Sequence, residues 1–430
     1  MPKILIDFEY GNSRIYNNLG SSPKNTVRLC DWLKSNKNNL ASIKFAMYLF
    51  NNKYLFNTLK ELASEGITVD VYSIPLEGYD DDKPIDIKDH NTGESLGRQT
   101  KYQLAEVIYS EIINHPIANF TLHIFPHMYL RSSRVRAFSR GNMPYSLHCK
   151  TCLFKFKDGT TYVGLTSSNV AVRDAQKIEL FNLETIEGAD VTSAEDFYSG
   201  LDINSIEVNS FDPEANYNHY EIAMRPAPPI SRVLYTAPFY ENSAQLFEER
   251  IIQIINRANS RIVVAAQHVC AYDYSYYTNN SSRMDKPGFL STVLDKARNG
   301  IPTTILSQTY ADKEGNHGCR SPENKTAFIN FTTAAKAISS CQYFVNSNLH
   351  AKFIIVDDIV ITTTCNFTPT QFIYIPNVNI PEFDNIPNTS YSGIFCEVGA
   401  YFIYQIPQIA DALFQKTNDI IALETTRKMF

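Results

Sequence analysis

The sequence repeats one pattern of segments in its two halves, and this repeat constrains the fold more than any other feature. Each half has an apolar run typical of a buried strand, an amphipathic helix that ends at a glycine, and a second strand. These segments are Ile43–Phe50, Tyr54–Ser64 and Ile67–Ile74 in the first half, and Arg261–Val269, Phe289–Asn299 and Ile301–Leu306 in the second. Gly66 and Gly300 suit the left-handed position that ends many helices. A strand, a crossover helix and a parallel strand make a βαβ unit, so each half is predicted to be α/β.

A polar segment with four prolines separates the two halves. It covers roughly residues 209–231, and we predict a first half at residues 1–210, a linker at 211–231 and a second half at 232–430. Ser243 is predicted to be the N-cap of a helix that opens the second half. Residues Ile373–Gly393, rich in Pro and Asn, are predicted to form a long insertion loop over the cleft or at a partner surface.

Composition limits the location and the cofactors of the chain. The formal charge of −6 does not indicate a polyanion ligand, although a locally basic cleft would be compatible with it. The sequence has neither the apolar core of a signal peptide nor a run of about 18 apolar residues, which predicts a cytoplasmic protein without a membrane segment. Cys149 and Cys152 have a C-x-x-C spacing, but without a second close Cys/His pair they are predicted to pack as small apolar residues. We expect no metal and no cofactor.

A four-residue pattern occurs in both halves, 202 residues apart. It is Leu147-His148-Cys149-Lys150 in the first half and Leu349-His350-Ala351-Lys352 in the second. Each copy is followed by a predicted hairpin and then by a hydroxyl-rich run that ends in Asn, at residues 166–169 and 363–366. Alternate residues of a strand point to the same face, so each His lies beside its Lys, and the hairpin returns the hydroxyls and Asn next to them. Such a cluster predicts a phosphate site that works without a metal.

These residues resemble the HKD motif of the phospholipase D superfamily, H-x-K-x4-D followed by G-S-x-N. The second copy has the family spacing in His350, Lys352 and Asp357. In the first copy Lys155 stands where the family has Asp, and the acid comes later, at Asp158. That departure is similar to the tyrosyl-DNA phosphodiesterase branch. The resemblance spans most of the chain and implies a pseudo-two-fold duplicated fold, with a mixed β-sheet flanked by helices in each half.

The resemblance also implies a set of site residues. Family members carry an acid on the strand after the motif that orients the histidine, and Glu179 and Glu397 match it. By analogy, His148 is the nucleophile that forms a phosphohistidine, and His350 is the general acid. The residues that would bind or stabilise the phosphate, or tune the histidines, are Lys150, Lys352, Asn169, Asn366, Ser167, Thr364 and Asp357. Activity in EDTA would separate such an enzyme from metal nucleases.

The motif does not identify the substrate, because members of the superfamily cleave several kinds of phosphodiester. We favour nucleic acid, DNA over RNA, because a basic run precedes the first motif: Arg131, Arg134, Arg136 and Arg140. A solvated loop explains this run equally well. The hypothesis is a metal-independent nuclease, with restriction or phage defence as its setting and a partner protein or homodimer as a further option. The alternatives are a phospholipid hydrolase or transphosphatidylase, and a non-catalytic subunit that binds phosphate or nucleic acid.

Overall fold

The computed structural model describes the chain outside residues 1–3, 11–12, 77–84, 89–94, 126–139, 145–146, 171–176, 213–221, 230, 273–287, 309–321, 373–374 and 377–389. Helices flank the two main sheets. They are α1 Ser22–Ser35, α2 Lys53–Ser64, α3 Lys101–Asn114, α4 Ala189–Ile203, α5 Ser243–Ile255, α6 Phe289–Arg298, α7 Pro322–Lys336, α8 Pro369–Phe372 and α9 Pro407–Ile421. None of these described helices is long and apolar enough to cross a membrane.

The described part of the first half forms a nine-stranded mixed sheet of order β1-β2-β11-β10-β9-β3-β4-β7-β12. Its strands are β1 Ile4–Tyr10, β2 Ser13–Ser21, β3 Leu40–Met47, β4 Thr68–Ser73, β7 Phe120–Ile124, β9 Lys150–Phe156, β10 Thr161–Thr166, β11 Ile178–Ile186 and β12 Ile206–Glu207. Strands β5 Ile85–Lys88 and β6 Ser95–Gln99 pair separately, and β8 Arg140–Pro144 belongs to a third sheet.

The described part of the second half forms an eight-stranded sheet of order β13-β21-β18-β17-β14-β15-β16-β22. Its strands are β13 Val233–Thr236, β14 Ile262–Ala266, β15 Thr303–Ser307, β16 Cys341–Asn346, β17 Phe353–Val356, β18 Ile359–Thr363, β21 Gly399–Gln405 and β22 Thr426–Lys428. The small third sheet joins β19 Ile375–Pro376 and β20 Ser390–Phe395 with β8, so it links the two halves.

The order and direction of the strands repeat from one main sheet to the other. Both sheets contain a parallel trio, β3-β4-β7 and β14-β15-β16, flanked by antiparallel strands in the same sequence. The predicted duplicated α/β fold is therefore confirmed, and so are both βαβ units. The glycines that end α2 and α6 have φ of +91° at Gly66 and +88° at Gly300, as the left-handed position requires.

Two local predictions need correction. The first predicted strands of both βαβ units extend too far, because Tyr48–Phe50 and residues 267–269 leave the sheet. Their apolar residues are buried outside the strand ladder, and hydrophobicity alone does not separate the two cases. The N-cap of α5 is Asn242, in the left-handed conformation, and Ser243 is the first helical residue. The Ser243 hydroxyl instead lies 3.3 Å from the backbone nitrogen of Ala237, in the preceding loop.

The two sheets pack against each other through an apolar core to which both contribute. Leu180 and Leu183 of β11 belong to the same buried cluster as Leu349, Phe402 and other residues of the second half. A polar contact crosses this core where Asn182 donates to the hydroxyl of Thr362 at 2.7 Å. Because buried polar groups are costly unless paired, this contact fixes how the sheets lie relative to each other.

The linker predicted at residues 211–231 joins the sheets, and its boundaries stay a prediction. Helix α4, from the first half, packs on β13 of the second, where the rings of Phe197 and Tyr235 stack at 4.0 Å. Cys149 and Cys152 are buried in the apolar core, and burial raises the pKa of both thiols. Within the described residues, no group of three or more His, Cys, Asp or Glu side chains could hold a metal ion.

Candidate active site

The first motif lies where the chain enters β9. His148 and Lys150 are both buried, and the Lys150 ammonium donates to the carbonyl oxygen of His148 at 2.5 Å. Lys150 pairs with Met47 at the carboxyl end of β3, so the motif sits at the edge of the first sheet where the parallel strands end. This edge is the usual place for a ligand site in an α/β sheet.

The second motif has the same arrangement in the second sheet. His350 and Lys352 are buried, and the Lys352 ammonium donates to the carbonyl oxygen of His350. The backbone of this motif also docks on the first half. The N–H groups of His350 and Ala351 donate to the carbonyl oxygen of Ile178, the first residue of β11, at 2.9 and 2.8 Å. The second histidine is therefore held against the first sheet.

Each histidine faces a carboxylate from the opposite half of the chain. The Nδ1 atom of His350 lies 2.7 and 2.9 Å from the two oxygens of Glu179, on β11. The Nδ1 atom of His148 lies 3.2 Å from Oε2 of Glu397, which precedes β21. These crossed pairs bring the two motifs into one cluster. The lysines confirm the proximity, because the charge of Lys352 acts on both His148 and Glu179.

The protonation of the two pairs differs. Burial, reinforced by the charge of Lys150, lowers the pKa of His148 to about 4, against the opposing influence of Glu397. Burial raises the pKa of Glu179 to about 7, although Lys352 and the hydroxyl of Ser167 oppose the rise. His148 is thus neutral above pH 4, whereas the Glu179–His350 pair retains a proton up to about neutral pH.

The hydroxyl residues that follow β10 and β18 occupy matching positions. The N–H of Ser167 donates to the carbonyl oxygen of Leu180 at 2.9 Å, and the N–H of Thr364 donates to that of Ala400 at 3.1 Å. The Ser167 hydroxyl accepts from the N–H of Leu180 at 2.8 Å, and the Thr364 hydroxyl accepts from the N–H of Ala400 at 3.2 Å. The Ser167 hydroxyl also donates to Glu179 at 2.5 Å. Both side chains are buried, and their contacts support positioning; substrate binding by them stays a prediction.

The carboxylates, by contrast, occupy different positions in the two sheets. Because Leu180 matches Ala400, the residue that matches Glu179 is Gly399. A side chain at Gly399 would collide with the sulfur of Cys365, 2.1 Å from an added Cβ. The second carboxylate comes from Glu397, two residues earlier and outside the strand. Since residues two apart on an extended chain share a face, Glu397 still points to the same side.

The two asparagines of the motifs follow equivalent strands. Asn169 comes after β10 and Asn366 after β18, and both are half-buried at the same edge as the histidines. The side-chain oxygen of Asn366 accepts from the N–H of His268 at 3.4 Å, which ties it to the end of β14. Their predicted role in stabilising phosphate oxygens fits this placement and stays a prediction.

The acids of the two hairpin turns lie away from the histidines. Asp357 has a φ of +52° in the turn between β17 and β18, at the opposite end of β17 from Lys352. Its carboxylate accepts from the N–H groups of residues 259–261 at 2.8 to 3.0 Å. Partial burial opposes ionisation of Asp357, but these hydrogen bonds outweigh it and lower the pKa. Asp158 accepts only locally, from the N–H of Thr160 at 2.9 Å. These contacts support a role in the turns.

Part of the predicted site falls where the structure gives no account. Arg131, Arg134 and Arg136 lie outside the described residues, and so does most of the insertion Ile373–Gly393. Arg140 begins β8, where its backbone pairs with that of Ser390 in β20.

The sequence analysis missed two residues of the cluster. The ring of Tyr48, just after β3, meets the ring of His148 edge-on at 5.8 Å and lies 6.0 Å from the Lys150 ammonium. Gln371, in α8, donates from its amide to Oε2 of Glu397. The position of Tyr48 at the end of a predicted parallel strand was a usable signal. Nothing in the local sequence marks Gln371.

Solved structures resemble this chain over almost its whole length. The phosphatidylserine synthase of Haemophilus influenzae matches with a TM-score of 0.53 and 13% identity, covering 99% of this chain and 89% of that chain. The polyphosphate kinase of Porphyromonas gingivalis matches with a TM-score of 0.51 and 10% identity over 99% of this chain. This chain spans only 48% of that kinase.

A variant of yeast tyrosyl-DNA phosphodiesterase matches with a TM-score of 0.46 and 10% identity, covering 91% of this chain and 88% of that one. No family model matches the sequence, and neither does any curated protein. At these identities the likeness concerns the fold. The chain shares its duplicated α/β fold with the phosphatidylserine synthase and with the matched part of the polyphosphate kinase.

Proposed function

We propose that this protein is a metal-independent phosphodiesterase that cleaves nucleic acid, DNA in preference to RNA, through a phosphohistidine intermediate. The observation that carries the proposal is the crossed pairing of His148 with Glu397 and of His350 with Glu179. Each pair takes one partner from each half, so the catalytic unit needs the whole duplicated fold. Two buried lysines next to the pairs supply positive charge for a phosphate group.

In the first step His148 attacks phosphorus with Nε2, the ring nitrogen remote from Glu397. The low pKa of His148 supports this role, because a nucleophilic imidazole must be neutral. The P–N bond forms, the bond to the leaving oxygen breaks, and that oxygen takes the Nε2 proton of His350. Glu179 stabilises the imidazolium form of His350 and holds its ring in position.

In the second step water attacks the phosphohistidine. His350, now neutral, takes a proton from this water, the P–N bond breaks, and His148 returns to its neutral state. Lys150 and Lys352, with Asn169 and Asn366, stabilise the charge on the non-bridging oxygens in both steps. Only side chains of this chain take part, so we expect activity to persist in EDTA.

Nucleic acid is our first choice of substrate because of the predicted basic run at residues 131–140, which precedes the first motif. Tyr48 adds an aromatic ring beside His148, and aromatic rings stack on bases. A phage-defence or restriction setting is part of the same proposal. A phospholipid substrate is the second candidate, because one of the similar structures is a phosphatidylserine synthase.

A cleavage assay in excess EDTA tests the proposal. Single- and double-stranded DNA, RNA and phospholipid vesicles are compared for the wild type, His148→Ala and His350→Ala. His115→Ala is the matched control, since His115 is exposed at the end of α3. We expect cleavage of nucleic acid by the wild type and the control, and none by the other two variants. Cleavage of the vesicles alone would identify phospholipid as the substrate. Loss of activity in EDTA would contradict the mechanism.

A further inference from the structure

The two carboxylates receive their hydrogen bonds from unrelated donors. Glu179 accepts from Ser167, the hydroxyl residue that follows the strand of its own hairpin. The matching residue in the second half, Thr364, accepts from the N–H of Ala400 as Ser167 does from that of Leu180, but its hydroxyl lies against the sulfur of Cys365, at 3.6 Å. Glu397, displaced by two residues, accepts instead from the side-chain amide of Gln371. Gln371 thus replaces the Ser167 contact in the second half.

The two donors bind their carboxylates in different ways. Both oxygens of Glu179 lie within 2.9 Å of His350, so the Ser167 hydroxyl leaves one oxygen for the imidazole alone. The Gln371 amide binds Oε2 of Glu397, and this is the same oxygen that lies 3.2 Å from His148. Gln371 and His148 therefore share one carboxylate oxygen, and the hydrogen bond from Gln371 reduces the negative charge that this oxygen presents to His148.

The orientation of Gln371 is dictated by this contact. An ionised carboxylate only accepts hydrogen bonds, so the amide nitrogen must face Glu397 and the amide oxygen must point away. Gln371 is completely buried, and its Oε1 has no hydrogen-bond partner among the described residues. A buried acceptor without a partner is unfavourable. A glutamine placed for packing alone would avoid it, which points to the contact with Glu397 as its purpose.

Several other described groups act on this pair. His148 feels the charges of Lys150 and Lys352, both of which oppose its protonation, and of Glu397, which favours it. Around Glu397 stand the thiols of Cys365 and Cys396, and burial raises the pKa of both. The hydroxyl of Thr236 lies 3.4 Å from the backbone oxygen of Glu397. Among the described groups that act on His148, Glu397 is the one that favours its protonation, and the amide of Gln371 binds Glu397.

We propose that Gln371 is a positioning residue that keeps His148 in its neutral, nucleophilic form by occupying the oxygen of Glu397 that faces it. This inference rests on the proposed function for its catalytic meaning, but the coupling between Gln371 and His148 exists without a substrate. The two halves of the site then have opposite tasks. Burial lets Glu179 hold a proton with His350 although Ser167 opposes it, whereas Gln371 prevents Glu397 from doing the same with His148.

The test is a titration of the histidine ring signals by NMR, with the His148 signal assigned through His148→Gln. It compares the wild type with Gln371→Met, which keeps the length of the side chain and removes the donor. Gln342→Met is the control, because Gln342 is exposed on β16. We expect the pKa of His148 to rise by about one unit in Gln371→Met, as a nearby carboxylate would cause, and to stay unchanged in the control.

A pKa of His148 that is unchanged or lower in Gln371→Met would overturn the inference. Gln371→Leu gives a second reading if the methionine variant does not fold. The pH dependence of kcat/KM then separates this inference from the proposed function. If the wild type cleaves no phosphodiester, the function fails, but the NMR shift still stands. If the wild type is active and its acid limb does not move to higher pH in Gln371→Met, the role of Gln371 fails alone.

Discussion

We call each histidine, with its carboxylate and the side chain that donates to that carboxylate, a half-site. The half-sites of His350 and His148 contain the same three kinds of group but differ in geometry. In the first, Glu179 is on a strand, contacts the imidazole with both oxygens and accepts from a hydroxyl. In the second, Glu397 stands outside the strand and faces His148 with one oxygen that it shares with Gln371. Under the proposed mechanism, moving one carboxylate along the chain by two residues is what separates the acid from the nucleophile in this duplicated fold.

Replacing Glu179 and Glu397 separately by Gln tests the difference between the two half-sites most strongly. We expect Glu179→Gln to lower kcat/KM by roughly 10³-fold, since removing a carboxylate that orients a catalytic histidine costs up to about 10⁴-fold. Glu397→Gln should cost only about tenfold, because His148 must be neutral and needs orientation more than charge. Steady-state cleavage by the two purified variants measures this ratio. Equal losses, or a larger loss at Glu397, would break the proposed division of labour.

The pH dependence of the wild type is the next consequence. The proposed mechanism requires His148 without a proton, which holds above its pKa of about 4. It also requires the Glu179–His350 pair to retain a proton, which holds below the Glu179 pKa of about 7. We expect a bell-shaped profile of kcat/KM with its maximum between these values, falling about tenfold per pH unit beyond each limb. A profile that still rises above pH 8 would contradict the assignment of the acid.

Ser167→Ala moves one limb of that profile. The Ser167 hydroxyl lowers the pKa of Glu179, so its removal raises that pKa and lets the pair keep its proton to higher pH. We expect the basic limb to move upward, the acid limb to stay in place and the maximal rate to fall by about tenfold, the value of one hydrogen bond to a charged group. Thr364→Ala is the matched variant, and it should leave both limbs unmoved. A shift of the acid limb by Ser167→Ala would show that the half-sites are not independent.

The hairpin turns provide the smallest expected effect on activity. Asp357→Ala removes several hydrogen bonds to the backbone before β14, so we expect a loss of about 2 kcal/mol in the free energy of unfolding. Cleavage at saturating substrate should change by less than about twofold, because the contacts of Asp357 are confined to the turn. Urea denaturation measures the first quantity, with Asp358→Ala as the neighbouring control. A large loss of activity with unchanged stability would show that Asp357 contributes to catalysis and not only to the turn.

Much of the fold could be predicted from local patterns, because a βαβ unit is encoded within about 30 consecutive residues. The helix-ending Gly66 and Gly300 marked both copies, and the paired His-x-Lys patterns marked the cluster. The crossing of the carboxylates could not be predicted, because it depends on how two distant sheets pack. Hydrophobic periodicity says which face is buried and does not say what covers it.

The displacement of Glu397 and the contact of Gln371 could not be predicted from the sequence either, because both depend on residues far apart in the chain. Glu179 could be predicted from its short distance in sequence to the first motif. In the second half the long segment before β20 separates Glu397 from its motif, so no fixed spacing identifies it. Gln371, in the short helix α8, acts through Glu397, which is 26 positions away in the sequence. Contacts of this kind are set by tertiary packing alone.

Mapping the covalent intermediate tests the central claim, that the halves build one site in which His148 is the nucleophile. His350→Asn is mixed in EDTA with a p-nitrophenyl ester of a thymidine phosphate, whose leaving group needs no acid. Because the residue that activates water is missing, the adduct should accumulate and mass spectrometry should place it on His148. His148→Asn should form none. An adduct on His350 in the second variant, with none on His148 in the first, would contradict the account.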